Sequence, residues 1–306
     1  MAEAKLPKVL REKSFVFTLV ASILAPLIRL MFNVKTEGVE NLPKGGYILV
    51  ANHVNYLDPL AFAYSVFISM KRTPHYLAKE SLFRIPVLGA ILPKVGQIPV
   101  YRTGRSNDEP LRAAIEFLKA GQVVVVFPEG TLTRDPDLWP MRGKSGAIRL
   151  AIELGLPIVP AGHWGIEKIL GNYSKKFRPN PFHTVRVKIG KPMRFDELRK
   201  DGVSSQEVNQ ATEKVMRAIS AIVGELRGET PPKELWDPAK KGRLLAVKVF
   251  GESTDVGQRF VETTYAYYPV GDARANLLQS VTVRNLSTQG VTTQLRTLLP
   301  AWRAFW

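Results

Sequence analysis

His53 and Asp58 stand five residues apart in the stretch Ala51-Asn52-His53-Val54-Asn55-Tyr56-Leu57-Asp58-Pro59. An imidazole and a carboxylate at that spacing can meet across a tight turn. The carboxylate then holds the imidazole in one tautomer and stabilises the imidazolium once it has accepted a proton, which is the work of a general base. The same residues also suit an ordinary helix start, with Asp58 as N-cap and Pro59 at the first helical position. A covalent nucleophile is harder to place, because the chain has no cysteine and no Gly-x-Ser-x-Gly elbow. The four histidines, His53, His75, His163 and His183, include no two at metal-ligand spacing, so neither a metal centre nor a cofactor is expected.

The elements that must position this pair are legible on either side of it. Tyr47-Ile48-Leu49-Val50 is an apolar run that reads as a buried strand over 47–51, and Leu60 to Met70 has helical length, so the pair lies where a strand hands over to a helix. Further strands are expected at Tyr76-Leu77-Ala78, Gln122 to Phe127, Pro157 to Ala161 and Thr184 to Ile189, the last as an alternating edge strand. Helices are expected over 107–120, 145–154 and 205–226. Leu82 to Pro93 is apolar but broken by prolines and glycine, and reads as a loop or short helices at a membrane-facing edge. The alternation predicts an α/β fold with a mostly parallel central sheet flanked by helices, preceded by an N-terminal helical segment.

That segment, Phe15 to Phe32, follows Lys5, Lys8, Arg11 and Lys13 and is interrupted by Pro26 and Arg29. It is borderline as a membrane span and reads better as a helix lying in the membrane interface, with its basic residues at the headgroups. The expected organisation is a membrane-associated segment over 1–34, a catalytic domain over 35–230 and a C-terminal extension over 231–306. From Val249 onward there is no lysine, and five arginines stand against four acids, so nearly all of the formal charge of +16 belongs to the preceding part. A surface so basic favours an anionic membrane, a phosphate-bearing substrate or nucleic acid. The absence of a basic recognition helix, a zinc ligand set or an aromatic RNA-binding signature argues against nucleic acid.

Three more polar clusters lie at or beside strand ends: Gly96-Gln97-Ile98-Pro99-Val100-Tyr101-Arg102, Phe127-Pro128-Glu129-Gly130-Thr131, and Ile158-Val159-Pro160. With Asn52-His53…Asp58, in this order, they resemble the four sequence blocks of the 1-acylglycerol-3-phosphate (lysophosphatidic acid) acyltransferases, a family of glycerophospholipid acyltransferases. The likeness covers about residues 35–200.

The resemblance implies the glycerolipid acyltransferase fold on the cytoplasmic face of the cell membrane, monotopic or peripheral. It implies acyl transfer from acyl-CoA or acyl carrier protein to the sn-2 hydroxyl of lysophosphatidic acid, with His53 as base and Asp58 orienting it. Arg102 and Lys79 would bind the acceptor phosphate, with Glu129, Gly130 and Thr131 lining the glycerol phosphate. Backbone N–H groups near Val54 or in the 129–131 turn would hold the oxyanion. Glycerol 3-phosphate or another lysophospholipid as acceptor, and a lipid-binding protein without catalysis, are the alternatives.

Overall fold

The computed structural model describes residues 15–100, 108–174, 176–199, 202–238, 243–252, 259–268, 281–284 and 292–295. The chain divides into two compact units, Met1–Thr133 with Leu138–Leu235, and Arg134–Asp137 with Trp236–Trp306.

In the first unit, α1 (Phe15–Met31) leads into β1 (Asn33–Glu37), β2 (Tyr47–Ala51) and α2 (Asp58–Tyr64), which runs on as a π turn over Ser65–Ser69. There follow β3 (Pro74–Lys79), a 3-10 turn over Glu80–Arg84, α3 (Leu88–Ile91), β4 (Ile98–Val100), α4 (Asp108–Lys119), β5 (Val123–Val126), α5 (Gly146–Leu154), β6 (Ile158–Trp164), β7 (Thr184–Ile189) and α6 (Ser205–Arg227). Seven strands form one sheet in the order β1-β7-β6-β2-β5-β3-β4. Every pairing is parallel except β6 with β7. The expected α/β architecture is therefore present, with strand–helix alternation supplying the crossovers that parallel neighbours require.

The centre of the sheet explains its strands. Val123–Val126 and Tyr47–Ala51 are buried on both faces, one face packing against Ala147, Ile148 and Ile219 and the other against Phe62, Val66 and Val187. Continuous β-branched sequence is what a strand covered on both sides needs. α6 starts from a full capping box, Ser204 with Glu207, and ends at Gly228 in the left-handed region.

Three expectations change. Thr184–Ile189 is not an edge strand: it lies between β1 and β6, and β1, which sequence reading did not find, is the edge. Its alternation remains because Arg186 and Lys188 reach Glu37 and Glu225 at the surface while Val185, Val187 and Ile189 are buried. β6 extends to Trp164 and so includes His163. Asp58 is the first residue of α2, after Leu57 as N-cap, and its carboxylate turns back upstream rather than capping the helix it starts.

The second unit contains two antiparallel pairs, β8 (Arg243–Glu252) with β9 (Arg259–Tyr268), and β10 (Val281–Arg284) with β11 (Thr292–Leu295).

Candidate active site

β2 ends at Ala51 beside Ala161 of β6, and the chain beyond it crosses to α2 through Asn52–Leu57. Asn52 continues the strand register with its side chain: its Oδ1 accepts the His163 N–H at 2.9 Å and its Nδ2 donates to the His163 carbonyl at 3.2 Å. Asn55 closes the turn, accepting the Leu57 N–H on Oδ1 (2.8 Å) and donating from Nδ2 to the Leu170 carbonyl (2.6 Å). These two asparagines hold the ends of the loop that carries His53.

Within the loop, His53 Nδ1 lies 2.8 Å from Asp58 Oδ2. The same oxygen accepts the N–H groups of Val54 (2.5 Å) and Asn55 (2.9 Å). Asp58 is fully buried, and burial alone would raise its pKa. The positive fields and hydrogen bonds of His163 and His53 outweigh that and hold it down at about 2. The carboxylate is therefore ionised at neutral pH, and Nδ1–H of His53 donates to it. Nε2 is then the ring nitrogen free to accept a proton, and His53 lines the cavity. The ring stacks on Phe127 at 4.4 Å, which fixes its plane.

Phe127-Pro128-Glu129-Gly130-Thr131 follows β5 directly. Glu129 does not offer its carboxylate to the cavity. Oε1 accepts the His53 N–H at 2.8 Å and Oε2 the Met141 N–H at 3.2 Å, and the side chain is buried. Burial drives its pKa up to about 8, against the two amide bonds that favour the anion. A second tie runs from the Thr133 N–H to the His53 carbonyl at 2.7 Å. The segment after β5 thus holds the backbone of His53 on both sides. Gly130, at φ 68, carries the turn, and a Cβ there would come within 3.0 Å of Lys144 Cε.

Of the oxyanion donors expected from sequence, the Val54 N–H is taken by Asp58 and the Gly130 N–H by the Phe127 carbonyl. Of the other residues of that set, Thr131 lines the cavity. Lys79 ends β3, exposed, at the same cavity. Arg102 lies outside the described residues. The block leading to it has an architectural part: Gln97 accepts the Tyr76 N–H (2.9 Å) and donates to the carbonyls of Pro74 and Val95 (both 3.1 Å), tying β3 to the start of β4.

The cavity has a volume of about 640 Å³ and is walled by α1, α2, β3 and the 80–95 segment, mostly with apolar side chains. His53, Phe127, Gly130 and Thr131 line it. The described residues contain no cluster of three or more His, Cys, Asp or Glu able to hold a metal ion.

Sequence reasoning missed His163 and Tyr76. His163 is buried, with Nε2 3.1 Å from the Asn52 carbonyl and 3.5 Å from Asp58 Oδ2. Burial presses its pKa down, but the Asp58 charge prevails and raises it. Tyr76 lines the cavity and donates its hydroxyl to the Pro59 carbonyl at 3.0 Å. Nothing in the sequence pairs position 163 with position 58; only the β2–β6 register does.

Residues 33–164 match the Acyltransferase family model. The chain is 34% identical over 160 residues to the chloroplastic 1-acyl-sn-glycerol-3-phosphate acyltransferase BAT2 of Brassica napus, covering 51% of this chain and 44% of that protein. It is 31% identical over 148 residues to the 1-acyl-sn-glycerol-3-phosphate acyltransferase of Bacillus subtilis, covering 47% of this chain and 69% of that one. The chain thus spans less than half the length of the plant relative and about two thirds of the bacterial one. The crystal structure of the 1-acyl-sn-glycerophosphate (LPA) acyltransferase PlsC from Thermotoga maritima superposes with a TM-score of 0.50 at 27% identity, over 71% of this chain and 83% of that one. With the ordered blocks, the sheet and the His53–Asp58 geometry in agreement, the chain belongs to the 1-acyl-sn-glycerol-3-phosphate acyltransferase family.

Proposed function

We propose that this protein transfers a fatty acyl group from a thioester, acyl-CoA or acyl carrier protein, to the free sn-2 hydroxyl of lysophosphatidic acid, giving phosphatidic acid. The observation that carries this reading is a histidine backed by a buried carboxylate and lining an apolar cavity of about 640 Å³. That volume is within the range of roughly 300–1,000 Å³ of ligand pockets. Each methylene buried there contributes about 0.8 kcal/mol, so a fatty chain binds by length.

His53 Nε2 accepts the hydroxyl proton as the oxygen attacks the thioester carbonyl. The tetrahedral oxyanion is held by donors at the cavity wall, with Thr131 N–H as the candidate. Collapse breaks the carbon–sulfur bond, and the imidazolium returns its proton to the leaving thiolate. Asp58 remains ionised throughout and balances the imidazolium. Lys79 and Arg102 bind the acceptor phosphate. Glu129 acts here by holding the His53 backbone, a role distinct from the acceptor contact that resemblance implies for it.

The membrane is the second partner. α1 leaves Phe15, Leu19, Ile23, Leu27 and Leu30 exposed, and Val87 is exposed at the 80–95 segment. No described helix is long and apolar enough to cross a bilayer. An apolar face of this kind suits docking into the interface, on the cytoplasmic leaflet, where lysophosphatidic acid is presented.

The test is acyl transfer in detergent micelles with palmitoyl-CoA as donor and lysophosphatidic acid or glycerol 3-phosphate as separate acceptors, for wild type and His53→Ala. Transfer to lysophosphatidic acid that is lost in the variant supports the reading. Transfer only to glycerol 3-phosphate reassigns the acceptor, and transfer to neither, with CoA or carrier protein as donor, rejects the enzyme.

A further inference from the structure

A second histidine converges on Asp58. β6 carries His163 into the centre of the sheet, in register with Val187 of β7. Its ring is fully buried and packs edge-on against Phe62 at 5.3 Å. Nε2 faces two acceptors, the Asn52 carbonyl at 3.1 Å, a hydrogen bond, and Asp58 Oδ2 at 3.5 Å, an electrostatic contact. In the neutral ring the proton therefore belongs on Nε2. Nδ1 is buried without a hydrogen-bond partner among the described residues, so a proton there would be a dry donor.

The surroundings leave few other charges to act on this ring. β7 places Val187 opposite it and sends Arg186 and Lys188 to Glu37 and Glu225. α6 presents Ile222 and Val223 to β6 at Gly162. The following turn contributes Glu167, whose Oε2 accepts the Gly165 N–H. Among the described residues, titratable groups near His53 or at its cavity include Glu129, held by backbone amides, Tyr76, bonded to Pro59, Tyr56, Tyr64 and Lys79.

We propose that His163 is a positioning residue for the His53–Asp58 pair: through Nε2–H it fixes the Asn52 carbonyl and takes part of the Asp58 charge, so that the carboxylate draws less strongly on His53. This rests on the acyltransferase reading for its effect on rate; its effect on the titration of His53 does not. Removing His163 leaves Asp58 less compensated, and His53 then holds its proton to higher pH. Neutral or protonated, His163 gives the same sign.

The experiment uses the full chain in detergent micelles with ¹⁵N-labelled imidazoles, and four histidines keep the spectrum assignable by single substitutions. In wild type the ¹⁵N shifts of His163 should report a proton on Nε2, as the neutral Nε2–H tautomer or the imidazolium; a neutral ring protonated on Nδ1 alone overturns the proposal without any variant being needed. In His163→Phe the His53 titration midpoint should move to higher pH, and the acid limb of kcat/KM should follow. His163→Gln, which keeps an N–H donor, should stay nearer wild type. An unmoved His53 midpoint in folded His163→Phe also overturns the proposal. If that midpoint moves while wild type transfers no acyl group, the enzyme reading fails and the positioning stands. If wild type transfers and the midpoint does not move, the reverse holds.

Discussion

Glu129 Oε1 accepts the backbone N–H of His53 at 2.8 Å, across 76 residues of chain. The bond joins the loop after β5 to the loop after β2, neighbouring parallel strands whose C-terminal ends open on the same side. Ligand sites in such sheets form outside those ends, and here the glutamate of one loop sets the height of the histidine on the other.

Truncating that glutamate should therefore act on catalysis through geometry. Glu129→Ala leaves the N–H groups of His53 and Met141 without their acceptor, each costing about 1–3 kcal/mol. We expect a lower melting temperature and a kcat reduced far more than the acceptor KM is raised. A raised KM with kcat intact would instead place Glu129 against the acceptor.

The same residue gives a pH signature. Its folded pKa is raised to about 8 from 4.5, so its stabilising contribution is fully present below pH 4.5 and is lost as pH rises through 8. Glu129→Gln, which cannot ionise, should gain on wild type across that window, by about 1.4 kcal/mol per pH unit at the limit. Melting temperature against pH for both proteins checks this, and parallel curves would sink it.

Asp58→Asn removes the charge that stabilises a His53 imidazolium while keeping the side chain's size. A loss of about 10²–10⁴ in kcat is expected. The stability linked to Asp58 has the opposite sign to that of Glu129: with its pKa held at about 2, it is present above pH 3.8 and disappears as pH falls towards 2. Single-turnover rates and acid titrations read the two effects separately.

The cavity should select the acyl chain. Ala21 and Ala25 of α1 and Ala63 of α2 line it with small side chains. Ala63→Phe should move the preferred donor to shorter chains, read as a changed ratio of kcat/KM for lauroyl against palmitoyl donors. An unchanged ratio would mean that the chain binds elsewhere.

Lys79→Ala should raise the KM for lysophosphatidic acid by about 10-fold or more, the worth of a charge-assisted hydrogen bond, with less effect on kcat. Arg102→Ala should do the same. Kinetics on a neutral monoacylglycerol acceptor are the control, since loss of a phosphate contact should not affect it.

Local pattern was enough to find much of this protein. A continuous apolar strand followed by His53, four residues, and Asp58-Pro59 identifies the candidate turn, because strand, turn and helix start are all short-range events. The helices over 108–119, 146–154 and 205–227 follow from period and capping, to within a residue or two. Sequence separation hid the rest. β1 is only five residues with little apolar character, and β7 looks like an edge because Arg186 and Lys188 alternate with its apolar residues. Glu129 has the composition of a ligand, and only the parallel β2–β5 pairing turns its oxygens onto the His53 and Met141 amides. His163 is one of four histidines in the chain, and only the β2–β6 register brings it within 3.5 Å of Asp58. The sequence by itself determined which chemical groups are present and which short turn carries the His53–Asp58 pair, since those depend on neighbours within a few residues. Tertiary structure decided which buried polar groups hold that pair in place, because hydrogen bonds across strands depend on sheet order and register, which no local stretch encodes.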